Sequence, residues 1–307
     1  MSAFRNADCR LWVALCPLAN MCLNGRYLAN SGRSRILSIA AVDLNMRKKE
    51  SRMNNNTEHT LSKVPELTLI FWIIKIAATT LGETGGDAVS MSMNLGYLVA
   101  SAIFAAVFFI AVAAQIKTKK FHPFVYWTTI IATTTVGTTL ADFADRSLGI
   151  GYTGGASLLF ALLMASLAIW YKSLGSVSVD TVSSPKEEMF YWITIMFSQT
   201  LGTALGDWTA DTAGLGYSGG AIVFSVLLGA VIAAYYWTNI SRTVLFWAAF
   251  ILTRPLGAVV GDFLDKPLNV GGLALSRYSA SAALIVIIIA CILLFPQRAL
   301  KKFRPLT

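Results

Sequence analysis

Charge is scarce in this 307-residue chain: only 13% of residues are charged, against 55% hydrophobic. Too few polar side chains remain to cover a soluble fold of this length, and the composition is that of a bilayer protein. Cysteine and histidine are as sparse, with four and two copies. Cys9, Cys16, Cys22 and Cys291 show no paired CxxC spacing and no histidine beside them, so neither a zinc site nor a disulfide framework is indicated. His59 and His122 are isolated and read as solvated or interfacial side chains. No nucleotide-binding motif is present, so no ATP hydrolysis is expected within the chain.

Long apolar runs are plentiful. A helix needs about 20 mostly apolar residues to cross the hydrocarbon, and residues 67–295 hold about eight such stretches with short polar breaks. The formal charge of +9 would suggest nucleic acid in a soluble protein. Here the basic residues cluster instead after alternate stretches: Lys117, Lys119 and Lys120; Lys172 and Lys186; Arg242; and Arg298, Lys301, Lys302 and Arg304. The intervening loops carry only Arg146, Lys266 and Arg277. Basic residues stay on the cytoplasmic side, so both termini are expected there, with no nucleic-acid partner.

Residues 1–64 are basic and patternless, and LWVALCPLANMCL, interrupted by Pro17, makes a poor signal peptide. Lys49-Glu50 before Met53 can be encoded as AAG-GAG, which resembles a bacterial ribosome-binding site. Translation is therefore expected to begin at Met53, the alternative being a disordered cytoplasmic extension over 1–64. The remaining divisions are an eight-helix membrane domain, 65–297, and a basic cytoplasmic tail, 298–307.

Internal repeats reveal the architecture. Each of four units opens on an aromatic-Trp pair: Phe71-Trp72, Tyr126-Trp127, Tyr191-Trp192 and Phe246-Trp247. Ten residues after each Trp stands a glycine (Gly82, Gly137, Gly202, Gly257), and fifteen after it an aspartate (Asp87, Asp142, Asp207, Asp262). The strings are TLGETGGD, TVGTTLAD, TLGTALGD and PLGAVVGD, and the second and third lead on into LGIGYTGGA and AGLGYSGGA. The units cover about 67–118, 122–173, 187–238 and 242–296, and a Ser/Val-rich linker, residues 173–186, divides the chain into halves. Two spans per unit make all four units enter the membrane in the same direction, so these are parallel repeats whose first helices can surround a shared axis. The expected fold class is all-α, with eight transmembrane helices as four parallel two-helix repeats, N-in and C-in.

With each Trp at the cytoplasmic interface and a rise of about 1.5 Å per residue, each glycine lies roughly 15 Å and each aspartate roughly 22 Å into the membrane. Asp145, Asp211 and Asp265 follow three or four residues later, and Glu83 precedes Asp87 by four; such pairs share a helix face. A carboxylate facing lipid costs several kcal/mol, so these groups must meet the bundle interior, water, a cation or a basic partner. Lys75, Arg254, Arg146, Lys266 and Arg277 are too few to cancel eight acids. Carboxylates with hydroxyls such as those of Thr80, Thr135 and Thr200, and no Cys or His, suit Mg²⁺, Mn²⁺ or Ca²⁺.

Three alternatives accompany this reading. The acids form a buried network that only specifies helix docking; the second acids Asp145, Asp211 and Asp265 lie at the outer water interface; and the glycines serve either close packing or local unwinding that bares carbonyls to an ion. The second helix of each unit is nearly charge-free and reads as lipid-facing scaffold. Tyr152, Tyr217, Tyr235, Tyr236, Trp170 and Trp237 read as interface anchors.

The TLGETGGD and TLGTALGD strings, the Phe-Trp opening and the fourfold arrangement resemble a family of uncharacterised bacterial multi-spanning inner-membrane proteins with four TxG…GD repeats, labelled membrane or membrane-anchored proteins. The likeness spans about residues 65–297, and a divalent-cation exporter, with manganese as a fitting ion, suits such a family. The expected function is an inner-membrane transporter or channel for a divalent cation. Its expected ligands are Glu83, Asp87, Asp142, Asp207, Asp262, Asp145, Asp211 and Asp265, with the cation as substrate and no permanently bound cofactor. Rival functions are an intramembrane aspartate-dependent enzyme and a non-transporting structural or sensor subunit.

Overall fold

The computed structural model describes residues 45–48 and 61–301. Residues 45–48 form one helical turn within a separate unit, residues 1–57. The expectations about Cys9, Cys16, Cys22, Met53, His59, Lys302 and Arg304 lie outside the described residues.

A strand, β1 (Leu61–Pro65), leads into eight long helices. These are α1 (Leu69–Asp87), α2 (Gly96–Lys117), α3 (Pro123–Asp142), α4 (Gly151–Leu174), α5 (Pro185–Asp207), α6 (Gly216–Trp237), α7 (Arg242–Asp265) and α8 (Arg277–Leu294), and β2 (Ala299–Lys301) follows. Local chemistry sets their ends. The Thr68 hydroxyl caps α1, accepting from the Phe71 amide. Pro123 and Pro185 stand in the first turns of α3 and α5, where a missing N–H costs nothing. Ser184 and Glu187 form a reciprocal capping box on α5. Gly175, in the left-handed conformation at φ 74°, ends α4.

The odd-numbered helices form a closed inner ring, α1 on α3, α3 on α5, α5 on α7 and α7 back on α1. Each outer helix packs chiefly on the inner helix of the next repeat: α2 on α3, α4 on α5, α6 on α7 and, closing the circle, α8 on α1. No repeat therefore buries its own inner helix.

Sequence register explains the ring. The aromatic before each Trp packs on the Trp of the following repeat: Phe71 on Trp127, Tyr126 on Trp192, Tyr191 on Trp247 and Phe246 on Trp72, with ring centroids 5.4–6.3 Å apart. Trp127, Trp192 and Trp247 are consequently buried in a collar. This corrects their placement at an interface, since the neighbouring repeat supplies the surface that lipid headgroups were expected to provide. Trp170, also expected as an anchor, is fully buried against Tyr191 and Trp247.

Each glycine ten residues after the Trp meets the next helix so closely that a Cβ would collide. From Gly82 it would lie 2.3 Å from Thr134, from Gly137 3.0 Å from the Thr200 amide, from Gly202 2.2 Å from Arg254, and from Gly257 2.1 Å from Thr79. The helices run unbroken through these positions, so close packing is their role and the unwinding alternative is set aside.

At the Trp end, β1 and β2 pair antiparallel, Leu61 with Lys301 and Pro65 with Ala299. The linker's short helix, Val179–Thr181, joins them, with the Ser62 hydroxyl donating to the Val179 carbonyl at 2.7 Å. The Lys63 ammonium is buried against Glu188 at 2.5 Å. Residues 61–64 and 298–301 are therefore not disordered extension or free tail: Ser62 and Val64 are buried, and the paired Leu61 and Lys301 lie 240 positions apart in the sequence.

Among the described residues, five helices are long and apolar enough to cross a membrane: α2, α4, α6, α7 and α8. α1, α3 and α5 are of similar length but rich in Thr and Gly. Their threonines and glycines are mostly buried against other helices, while Leu69, Ile73, Phe124, Met189 and Ile193 are exposed.

Candidate cation-binding site

The inner faces of the ring are polar from the middle outward. Lys75 is fully buried near the collar, its ammonium 3.4 Å from the Gln199 side-chain oxygen and 4.2 Å from the Phe250 ring centroid. One layer outward, the Arg254 guanidinium joins all four inner helices. It donates to Glu83 Oε2 at 3.0 and 3.1 Å, to the Thr138 hydroxyl at 2.6 Å and to the Thr203 hydroxyl at 2.5 Å. Glu83, Thr138 and Thr203 stand at one repeat position, eleven residues after the Trp, so the register itself brings them to one level. Thr80, Thr135 and Thr200 stand three residues nearer the Trp. Their hydroxyls donate to their own helices at Ile76, Ile131 and Met196, 2.8–3.0 Å away, which ties them to backbone rather than freeing them as ligands.

The four repeat aspartates are all buried. Past Asp87, Asp142 and Asp207 the first three inner helices widen into five-residue π-helical turns, Ala88–Ser92, Phe143–Ser147 and Trp208–Thr212. Such turns recur at functional sites.

Two cations, both nineteen residues after a Trp, bridge the aspartates in pairs. Arg146 reaches its own Asp142 at 2.8 Å and Asp207 of the next repeat at 3.5 Å. Lys266 reaches its own Asp262 at 3.0 Å and, across the ring closure, Asp87 at 2.8 Å. The second pair carries more: Asp265 lies beside it, and Arg277 at the start of α8 holds Asp265 at 2.5 Å and Asp87 at 3.6 Å. One oxygen from each of Asp87, Asp262 and Asp265 lies within 4.8 Å of the other two. Asp87 Oδ1 and Asp265 Oδ1 are buried and have no hydrogen-bond partner among the described residues.

Asp145 occupies the same repeat position as Asp265 but turns away from its pair. It is buried against α4, where a Cβ on Gly155 would fall 2.1 Å from Asp145 Oδ1, and neither of its oxygens has a hydrogen-bond partner among the described residues. Asp211 is exposed. Of the three second acids only Asp211 is exposed.

The eight expected acids are thus brought together unequally. Glu83 forms a separate inner layer with Arg254, Asp142 and Asp207 share Arg146, and Asp87, Asp262 and Asp265 converge on Lys266 and Arg277. The expectation that charge goes uncancelled is corrected in part: every repeat aspartate has a basic partner. Six buried carboxylates in the outer layer (Asp87, Asp142, Asp145, Asp207, Asp262, Asp265) nevertheless share three cations, Arg146, Lys266 and Arg277. The sequence missed the buried Lys63–Glu188 pair. Its only signal was an acid three residues after the proline that starts a helix, which reads equally well as first-turn helix charge.

One family model, described as "Repeat of Unknown Function (DUF347)", matches the chain four times, at residues 70–121, 125–175, 190–241 and 245–298. No curated protein and no solved structure matches it.

Proposed function

We propose a function for a chain that belongs to the DUF347 repeat family: carriage of a divalent cation across the bacterial inner membrane, through eight spanning helices with both termini cytoplasmic. One observation carries this reading. Asp87, Asp262 and Asp265 present oxygens within 4.8 Å of one another, on two inner helices, in a layer where acids outnumber bases two to one. Oxygens on opposite sides of an ion with bonds of 2.3–2.6 Å stand about 5 Å apart, so the cluster matches a hard cation without backbone movement. The donor set is all oxygen, which favours Mn²⁺, Mg²⁺ or Ca²⁺ over soft metals.

The Arg254 cross-link of all four inner helices supports a carrier rather than an open channel, because an ion following the axis must part Arg254 from Glu83. The apolar outer faces of α2, α4, α6 and α8, with Phe109, Leu158, Val226 and Val286 exposed, support the lipid-embedded arrangement. Basic residues beyond the Trp end support its cytoplasmic orientation.

Purified chain in proteoliposomes should take up radiolabelled Mn²⁺, and D87N and D262N should abolish uptake while D211N leaves it intact. Equal flux in D87N, D262N and wild type would remove the reading. A second reading, a polar network that only fixes helix docking, is favoured by the basic partner found beside each repeat aspartate. On that reading the wild type gives no flux above empty liposomes.

A further inference from the structure

The two bridged pairs occupy equivalent places in the ring yet differ in chemistry. In both, the residue nineteen after the Trp contributes a positive charge that spans its own aspartate and that of the next repeat. In the pair between repeats two and three this residue is Arg146, and the third acid, Asp145, is turned aside. In the pair between repeats four and one it is Lys266, and the third acid, Asp265, is turned in. An arginine holds carboxylates through a planar, permanently charged fork, whereas a lysine offers a compact point charge on a flexible four-carbon stem. The acids converge on the half whose cation is compact and flexibly tethered.

The Lys266 ammonium stands 2.8 Å from Asp87 Oδ2 and 3.0 Å from Asp262 Oδ1, among three carboxylates whose spacing fits a metal ion. Beside it Asp87 Oδ1 and Asp265 Oδ1, buried and unpartnered, leave ligand capacity that one ammonium does not use. The backbone is pinned: Lys266 N–H donates to the Asp262 carbonyl at 2.9 Å, and the Lys266 carbonyl accepts from the Ala274 amide at 2.9 Å. The side chain is 13% exposed, so the stem has a way out to the surface while the main chain stays still.

We propose that Lys266 is a tethered occupant of the site made by Asp87, Asp262 and Asp265, its ammonium holding the place of the transported divalent cation and withdrawing when the cation binds. This rests on the cation-carrier reading above and adds to it the residue that competes with the substrate. Arg146 is the fixed counterpart, a permanent tie between the second and third repeats. The arrangement keeps the empty carboxylates neutralised inside the membrane, where a bare triad would be costly, and makes cation entry an exchange of charge rather than an addition.

A competitor that fills the site most of the time weakens apparent affinity by the fraction of time the site is free. K266M removes the charge while keeping a similar apolar stem, and should bind Mn²⁺ about tenfold more tightly or better. Binding is read by electron paramagnetic resonance on the full chain in lipid nanodiscs, with Mn²⁺ alone as the probe. K172M, exposed at the Trp end of α4 and away from the acids, should leave Mn²⁺ affinity at the wild-type value. K266R, whose fork keeps its hold, should bind more weakly than wild type and tests the idea should K266M fail to fold. K266M should also melt lower than wild type without metal and recover with Mn²⁺. Tighter binding in K266M establishes the competitor even where wild-type binding is too weak to detect. Equal affinity in wild type, K266M and K266R overturns the role of Lys266 and leaves the carrier standing; absence of binding in all three overturns both.

Discussion

Removing Arg254 tests whether the inner layer holds the ring together. Its guanidinium is fully buried and ties Glu83 on α1, Thr138 on α3 and Thr203 on α5 to α7. In R254M the aliphatic stem can still pack against Gly202, but Glu83 is left as a buried carboxylate without its counter-charge. Breaking such a pair from one side costs about 3–5 kcal/mol, and the Thr138 and Thr203 hydroxyls lose contacts worth about 1 kcal/mol each. E83Q should lose a comparable amount, because it strands the guanidinium instead. The double variant E83Q/R254M removes both charges and should be more stable than R254M alone, since replacing a whole buried pair is often close to neutral. Unfolding in mixed micelles by sodium dodecyl sulfate, followed by tryptophan fluorescence from the buried Trp127 and Trp192, measures all four corners of the cycle. Additive losses, with the double variant at the sum of the singles, would refute the claim that Glu83 and Arg254 act as one unit.

Gly137→Ala places a Cβ 3.0 Å from the Thr200 amide and 3.1 Å from the Gln199 carbonyl carbon, backbone atoms that cannot rotate away. It should cost about 1–3 kcal/mol in the same titration, whereas Gly229→Ala on α6, with open space around it, should be neutral or gain about 0.5–1 kcal/mol from helix propensity. Glu188→Gln removes the negative charge that pairs with the buried Lys63 ammonium and should loosen β1 from α5, seen as faster limited proteolysis near residues 61–66 than in wild type.

The repeat register was legible because each unit obeys the same contacts. The aromatic-Trp pair, the glycine ten residues on and the aspartate fifteen on were all read from spacing, and each proves to have one structural duty. What spacing could not give is the partner. A residue such as Phe71 packs not within its own unit but on Trp127 of the next, and no local pattern reports a contact 56 residues away. The same limit hid the charge pairing: Lys266 was counted as a nearby base, yet its shorter contact is to Asp87, 179 positions away across the ring closure. Hydropathy is ambiguous over α3: Asp142 is its only charged residue, but eight of its twenty residues are threonine or glycine.

The forward shift of each outer helix onto the next inner helix makes the fold cooperative around the whole circle. Were α2 to cover α1, each repeat would hold a complete helix pair and four pairs could assemble in any number. Because α2 instead covers α3, the first inner helix stays uncovered until the last outer helix arrives, and α1 carries Lys75, Glu83 and Asp87, all buried. Lys75 reaches Gln199 on α5, and the charged partners of the two acids, Arg254 on α7 and Lys266 just past its end, come from the fourth repeat. The ring therefore closes at four repeats for an electrostatic reason as well as a geometric one: the bases of the fourth unit neutralise the acids of the first. The β1–β2 clasp sits at that same seam, joining the segments that flank the four repeats where α8 meets α1.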